Sequence, residues 1–276
     1  FEPCVAEIQT SENIPLPQLA QEVQEVLKGE GSEFLQHLLV MGDSPQGARP
    51  KALVYRDPVN LEFSTQDSDQ HEAWLIKFPA QQEHPEVCAI EAVYAECLRL
   101  CAIETPDTHF FNLPNGLTAF ASKRFDRQNG MRIPMQSLAA YTGADYKVPG
   151  SLDYRNFLRA TLMCTQDVRE RLHAFKRAVF NVLFNNRDDH TKNFSFLMEK
   201  NGQWKLAPAY DVTFCEGPGG YHQMDIMGEA LNISRNDIHK LGTSEANLTT
   251  LEVDEIILTM REIALQFSQI AQRLYP

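Results

Sequence analysis

No apolar run in these 276 residues approaches the roughly 20 that a helix needs to cross a bilayer, so the sequence offers no membrane-spanning helix. Positive charge is scarce too: 25 Lys and Arg stand against 37 Asp and Glu, for a net charge of -12 and a pI near 5.1. Nucleic acid rewards clustered cations, so direct binding to DNA or RNA is not expected of this chain. None of the six cysteines forms a CxxC pair. Cys97 and Cys101 lie one helical turn apart, but no second pair or neighbouring His completes a zinc set. Cys4, Cys88, Cys97, Cys101, Cys164 and Cys215 therefore read as buried, reduced thiols, and a reducing cytoplasm is the expected compartment. Also missing are a Walker A sequence, the Gly-rich fingerprint of typical protein kinases, internal repeats and low-complexity tracts. The chain opens Phe1-Glu-Pro-Cys4 with neither an initiator Met nor a signal peptide, and further residues upstream are expected.

What is present is ordinary for a globular protein, with 43% hydrophobic and 22% charged residues, and the length suits a large bilobal domain or two domains. Leu19, Val23, Val26 and Leu27 carry helical spacing, closed by Gly29 and Gly31, and a second short helix is expected from Phe34 to Leu39. A turn rich in Gly, Ser and Pro (Met41-Gly-Asp-Ser44-Pro-Gln-Gly47) feeds a strand near Lys51–Tyr55; its amides could cradle phosphates or simply cap a hairpin. Lys77 interrupts the apolar strand Ala73–Pro79 and must meet an anion or reach an edge. Glu91 sits within the apolar stripe of a helix from Val87 to Leu100 and offers that anion. Strands at 107–111 and 117–125 flank the turn Pro114-Asn115-Gly116, followed by a pattern break at 126–130. The break marks a hinge, where main-chain groups of Lys123 and Phe125 could meet an adenine edge. Helices are expected over 133–142, 153–164 and 167–187, then a hairpin around Lys200-Asn201-Gly202, a Gly-rich loop from 214 to 232, and helices near 234–242 and 251–274.

The densest chemistry follows the 167–187 helix: Asn186-Arg-Asp188-Asp189-His190-Thr-Lys192-Asn193, with Pro208-Ala-Tyr210-Asp211 after the hairpin. Asp188 and Asn193 have the D-x-x-x-x-N spacing by which protein kinases set a catalytic base and a metal-binding amide in one loop. Phosphoryl transfer asks for positioning and charge neutralisation. Asp188 suits an acceptor of the attacking hydroxyl's proton, Asn193 and Asp211 are oxygen ligands for magnesium, and Lys192 can reach the phosphoryl group or Asp188. His190 would need His or Cys companions to bind zinc, with only His222 and His173 to draw on, so it reads as an imidazole that organises the loop.

With these residues the chain resembles the HipA family of bacterial serine/threonine-protein kinase toxins, from about residue 16 to the end. The resemblance rests on Gly47-Ala-Arg-Pro-Lys51, Arg124-Phe-Asp-Arg127, Asn186–Asn193, Pro208–Asp211 and Met227-Gly-Glu229. It implies an α+β, kinase-like bilobal fold with a β-rich lobe over 1–125 and a helical lobe over 126–276. It further implies use of ATP and Mg2+, transfer to a Ser or Thr of a protein (an aminoacyl-tRNA synthetase in the best-known members), and a HipB-like helix-turn-helix antitoxin through which alone DNA is met. Carried over by motif, Asp188 is the catalytic aspartate, with Lys192 and His190 in its loop, and Asn193 and Asp211 are metal ligands. Lys77, paired with Glu91, holds ATP, Gly47 and Lys51 belong to the phosphate loop, and Ser44 falls at the autophosphorylation position. Two departures stand out: Asp189 replaces a Gly of the best-known toxin, and family members carry a further small amino-terminal subdomain. A small-molecule or lipid kinase and a catalytically silent nucleotide-binding co-repressor are the competing readings.

Overall fold

The computed structural model describes residues 14–29, 39–40, 49–65, 70–81, 83–128 and 130–275. The phosphate loop with Ser44 and Gly47, the segment 34–38 and Cys4 lie outside them. Packing divides the chain into two compact units, residues 1–89 with 107–131, and residues 90–106 with 132–276.

The first unit is built on an antiparallel sheet. Its strands are β1 (Leu39–Val40), β2 (Lys51–Arg56), β3 (Phe63–Ser64), β4 (Glu72–Lys77), β5 (Thr108–Asn112) and β6 (Thr118–Lys123). Their order is β1-β2-β4-β6-β5, with β3 beside β2. Strand side chains alternate between faces, and Ala52, Val54, Trp74, Ile76, Ala119 and Ala121 all fall on one buried face. Helix α1 (Leu16–Leu27) covers it with Leu16, Leu19, Ala20 and Val23, whose spacing makes a single stripe. The expected turn closes β5 onto β6: Asn115 and Gly116 both take positive φ, 62° and 72°, and the Leu113 amide donates to Leu117 O at 2.8 Å. Leu39, expected at a helix, begins a strand instead, because its backbone pairs with Ala52.

The second unit is mainly helical, with α2 (Val87–Leu100, from Ile90 on), α3 (Leu138–Thr142), α4 (Tyr154–Thr165), α5 (Val168–Leu183), α6 (Arg235–Glu245), α7 (Thr250–Leu265) and α8 (Phe267–Leu274). Helix α5 is its axis: Ala174, Phe175, Ala178, Val179 and Phe180 have no solvent exposure. Asp153 and Asp167 cap α4 and α5 through the amides of Asn156 and Arg169, and capping boxes start α6 and α7. A three-stranded sheet, β9-β8-β7, stands beside the helices, with β7 at Met135–Ser137, β8 at Ser195–Met198 and β9 at Trp204–Leu206. The helix expected over 133–142 thus starts only at Leu138. Met135–Ser137 pair with β8, and the Ser137 hydroxyl accepts the Ala140 amide as the helix cap. The expected helix over 251–274 is interrupted at Gln266.

Cys97 and Cys101 are buried on α2, and burial pushes each thiol up to about 12. Cys164 and Cys215 are half-buried, where full burial was expected. The five described cysteines are all unbridged, and no described helix is long and apolar enough to cross a membrane.

Helix α6 approaches its neighbours through Gly242, where a Cβ would lie 2.5 Å from Val253 Cγ2 and 2.9 Å from Phe175 Cζ. Gly242→Ala is therefore expected to destabilise the chain by roughly 1–3 kcal/mol through overpacking, outweighing the helix propensity that alanine adds. A lowered midpoint in urea unfolding would register this.

Candidate active site

Helix α5 ends at Leu183 and hands the chain to Asn185, held in the left-handed region at φ 53°. The turn that follows is knitted by short contacts. Asn186 donates its backbone amide to Asn181 O and its side-chain amide to Asn181 Oδ1, both at 2.9 Å. Asn193 Nδ2 donates to the Asp188 carbonyl at 2.8 Å. The D-x-x-x-x-N interval thereby becomes one closed loop, and this bond commits Asn193 Nδ2 but not Oδ1, an oxygen of the kind a hard cation prefers. Asp188 keeps 32% of its side chain exposed, with His190 Nε2 at 3.8 Å from Oδ1. Lys192 Nζ rests 3.6 Å from the centroid of the Tyr146 ring, a cation–π contact that holds the ammonium over a flat surface. Tyr146 also meets the His190 ring edge-on.

The hairpin β8–β9 returns the chain to this turn. Buried Arg177 of α5, lowered to about 10 by burial, donates to the Ala207 carbonyl at the hairpin's exit. Tyr210 Oη donates to the Lys192 carbonyl at 2.6 Å and lies 2.6 Å from Ser195 Oγ, so with its own proton committed it accepts from the serine. Burial pushes Tyr210 up to about 12, which keeps that donor proton in place. Asp211, the next residue, has φ 56°. The chain beyond it stays close to the turn: Cys215 N donates to Asn185 O, and Arg187 N to Cys215 O. Gly217 completes this crossing, since a Cβ there would sit 2.3 Å from Tyr221 O and 2.8 Å from Arg187 Cβ.

Asp189, read in the sequence only as a departure, is wholly buried. Its Oδ2 accepts Tyr154 Oη–H at 2.7 Å and faces His222 Nδ1 at 2.8 Å, and Oδ1 accepts the Gln223 amide at 2.7 Å. His222 is thus Asp189's partner and not a companion of His190. Among the described residues no three His, Cys, Asp or Glu side chains are grouped to hold a metal.

In the first unit, the β2–β4 register sets Lys51 directly opposite Lys77. Opposed residues of an antiparallel pair share a face, so Lys51 and Lys77 lie on the same side of the sheet, with Lys77 only 6% exposed. Lys77 Nζ also lies 6.0 Å from the Phe120 ring centroid. Lys123 spends its amide on the Asp107 carbonyl and its ammonium on Glu72. Arg124 and Arg127 both bind the buried Asp126 carboxylate at 2.6 Å. Burial would raise that acid, but the two guanidiniums outweigh it and hold it below the usual carboxylate range. In the second unit, Glu91 is 2% exposed on α2.

A profile of the HipA-like C-terminal domain matches residues 44–269, and the chain belongs to that family. Among solved structures, HipA of Shewanella oneidensis, in complex with HipB and its operator DNA, matches all of this chain and 69% of its own length, with a TM-score of 0.74 and 17% identity. The two share a fold, α+β with an antiparallel sheet. A Haemophilus influenzae protein named "Putative kinase" is 25% identical over 193 residues, 62% of this chain and 52% of that protein. The matched chain therefore spans about half of that relative's length.

Proposed function

We propose that this chain is an ATP-dependent kinase of HipA type, transferring the terminal phosphoryl group of ATP to a Ser or Thr hydroxyl of a protein. One observation carries the reading: the Asn193 amide closes on the Asp188 carbonyl while Tyr210, the neighbour of Asp211, is tied to the Lys192 carbonyl. Asp188 and Asn193 are thereby joined in one turn, with the residue beside Asp211 tied to it and a third of the Asp188 side chain exposed.

Asp188 accepts the hydroxyl proton as the hydroxyl oxygen bonds to phosphorus and the bond to the bridging oxygen breaks, releasing ADP. Lys192, held over Tyr146, and His190 organise the loop around that proton transfer. Asn193 and Asp211 are the Mg2+ ligands, an all-oxygen set of the kind that ion selects. When bound, Mg2+ neutralises the charge of the phosphates. Lys51 and Lys77 supply cationic groups for the phosphates, with Glu91 among the nucleotide-binding residues, Ser44 and Gly47 in the phosphate loop, and Phe125 at the adenine edge. The two lobes of this reading, 1–125 and 126–276, differ from the two packing units in that residues 90–106 pack with the second unit. Its partners are a protein substrate and a HipB-like antitoxin that carries the contact with DNA.

Incubation with ATP labelled on its terminal phosphate tests the reading. Label on a protein, this chain included, supports it. Label confined to small molecules points to a small-molecule or lipid kinase, and nucleotide binding without any transfer to a silent co-repressor. Ser44→Ala is expected to abolish self-labelling and prolong activity, because a phosphate at Ser44 adds up to about two negative charges that compete with ATP for its cations. Phosphosite mapping by mass spectrometry decides this, and unchanged self-labelling would assign another acceptor.

A further inference from the structure

We infer that Asp189 and His222 form a positioning pair that couples the segment after Asp211 to the catalytic turn, so that Asp188 is held in working geometry only while residues 213–232 are seated. The inference rests on the kinase reading and adds to it positioning roles for Asp189 and His222.

A carboxylate without solvent is costly unless its lone pairs are filled. Asp189 meets that demand with donors from separate parts of the chain: the Tyr154 hydroxyl at the start of α4, the His222 ring and the Gln223 amide. With a carboxylate as partner, His222 Nδ1 carries the proton. Tyr154 Oη also accepts from Asn181 Nδ2 at 2.9 Å, and Asn181 Oδ1 accepts from Asn186 Nδ2 at 2.9 Å. The hydrogen bonds thus run from His222 through Asp189, Tyr154 and Asn181 back into the turn that bears Asp188, a closed circuit in which every buried member depends on the next.

The segment is seated at other points as well, by Gly150 N on Gln223 O, Tyr154 N on Asp225 O and His222 N on Ala230 O. These hold it to α4 and to itself. Within residues 188–193, by contrast, the contacts from 222 and 223 end on Asp189, the immediate neighbour of the proposed base. Loss of the His222 donor therefore leaves the segment attached while removing one of the three donors that hold the carboxylate beside Asp188. A base misplaced by an ångström costs turnover and leaves nucleotide affinity largely intact.

The test compares the full chain with His222→Leu, which removes the donor, and His222→Asn, whose Nδ2 takes the place of Nδ1. ADP formation from Mg2+-ATP gives kcat and KM, and hydrogen–deuterium exchange reads amides 188–193, with those of α7 as internal reference. Expected for His222→Leu is a fall in kcat of about tenfold to a hundredfold, a KM for ATP within about twofold, and faster exchange at 188–193 but not in α7. His222→Asn is expected to restore both. Wild-type kcat in a folded His222→Leu, or unchanged protection at 188–193, overturns the proposal. Should His222→Leu fail to fold, Tyr154→Phe is the second variant: it keeps the ring packed, and the same losses are expected, with wild-type exchange at 188–193 overturning the pair. A wild-type chain that forms no ADP defeats the kinase reading alone, and the exchange comparison still decides the coupling.

Discussion

Asp188→Asn is expected to reduce phosphoryl transfer by about a thousandfold, within the range that a general base supplies, while ATP affinity stays within about twofold. The substitution keeps the shape of the side chain and removes its basicity. A third of the Asp188 side chain is exposed and asparagine keeps an acceptor oxygen at the same place, so thermal unfolding should scarcely move. The backbone carbonyl that receives the Asn193 amide is untouched. Transfer is followed with labelled ATP and binding by calorimetry. Transfer that survives the change would remove Asp188 from the mechanism. The adjacent position gives a built-in contrast, because Asp189 is wholly buried and its carboxylate fills three donors. Stability and activity should fall together there, and activity alone at Asp188.

Asp211→Asn is expected to lower turnover by about a hundredfold to a thousandfold, the cost of losing one preorganised charge at a phosphoryl-transfer site, and to raise the Mg2+ concentration needed for half-maximal activity. Asparagine is the informative replacement. Asp211 has φ 56°, a region Asn tolerates well, whereas alanine would add backbone strain. Titration of activity with Mg2+ is the measurement. A Mg2+ requirement identical to that of the wild type would deny Asp211 its place as a ligand.

Much of this site could be read from sequence because its signals are local. The helical spacing of Leu19, Val23, Val26 and Leu27 and the strand expected near Lys51–Tyr55 are signals of single elements, and they formed the elements expected. Asp188 and Asn193 lie on one turn, so their interval already implied a closed loop. The readings that failed, or were never made, depend on partners distant in sequence. Met135–Ser137 became a strand because β8 supplied an edge, which no local pattern announces. The opposition of Lys51 and Lys77 follows from strand register. Asp189 was legible only as a departure from the Gly of the best-known toxin. Its burial is decided by Tyr154 and His222, 35 and 33 residues away in the chain, and neither stands out in an apolar helix start or a Gly-rich loop.

The hairpin between Asn193 and Asp211 has a consequence for how this site tolerates change. Its strands are pinned by register, Phe196 opposite Leu206 and Met198 opposite Trp204, and its base by the Tyr210 contacts with Ser195 and Lys192. The tip, Glu199 to Gln203, closes on itself through Glu199 N to Gln203 O and Gly202 N to Glu199 O. The separation of the two candidate metal ligands in space is thus independent of how many residues separate them in the chain. The tip is a place where loop length is free to vary, and a short tag inserted there would report on the site without entering it.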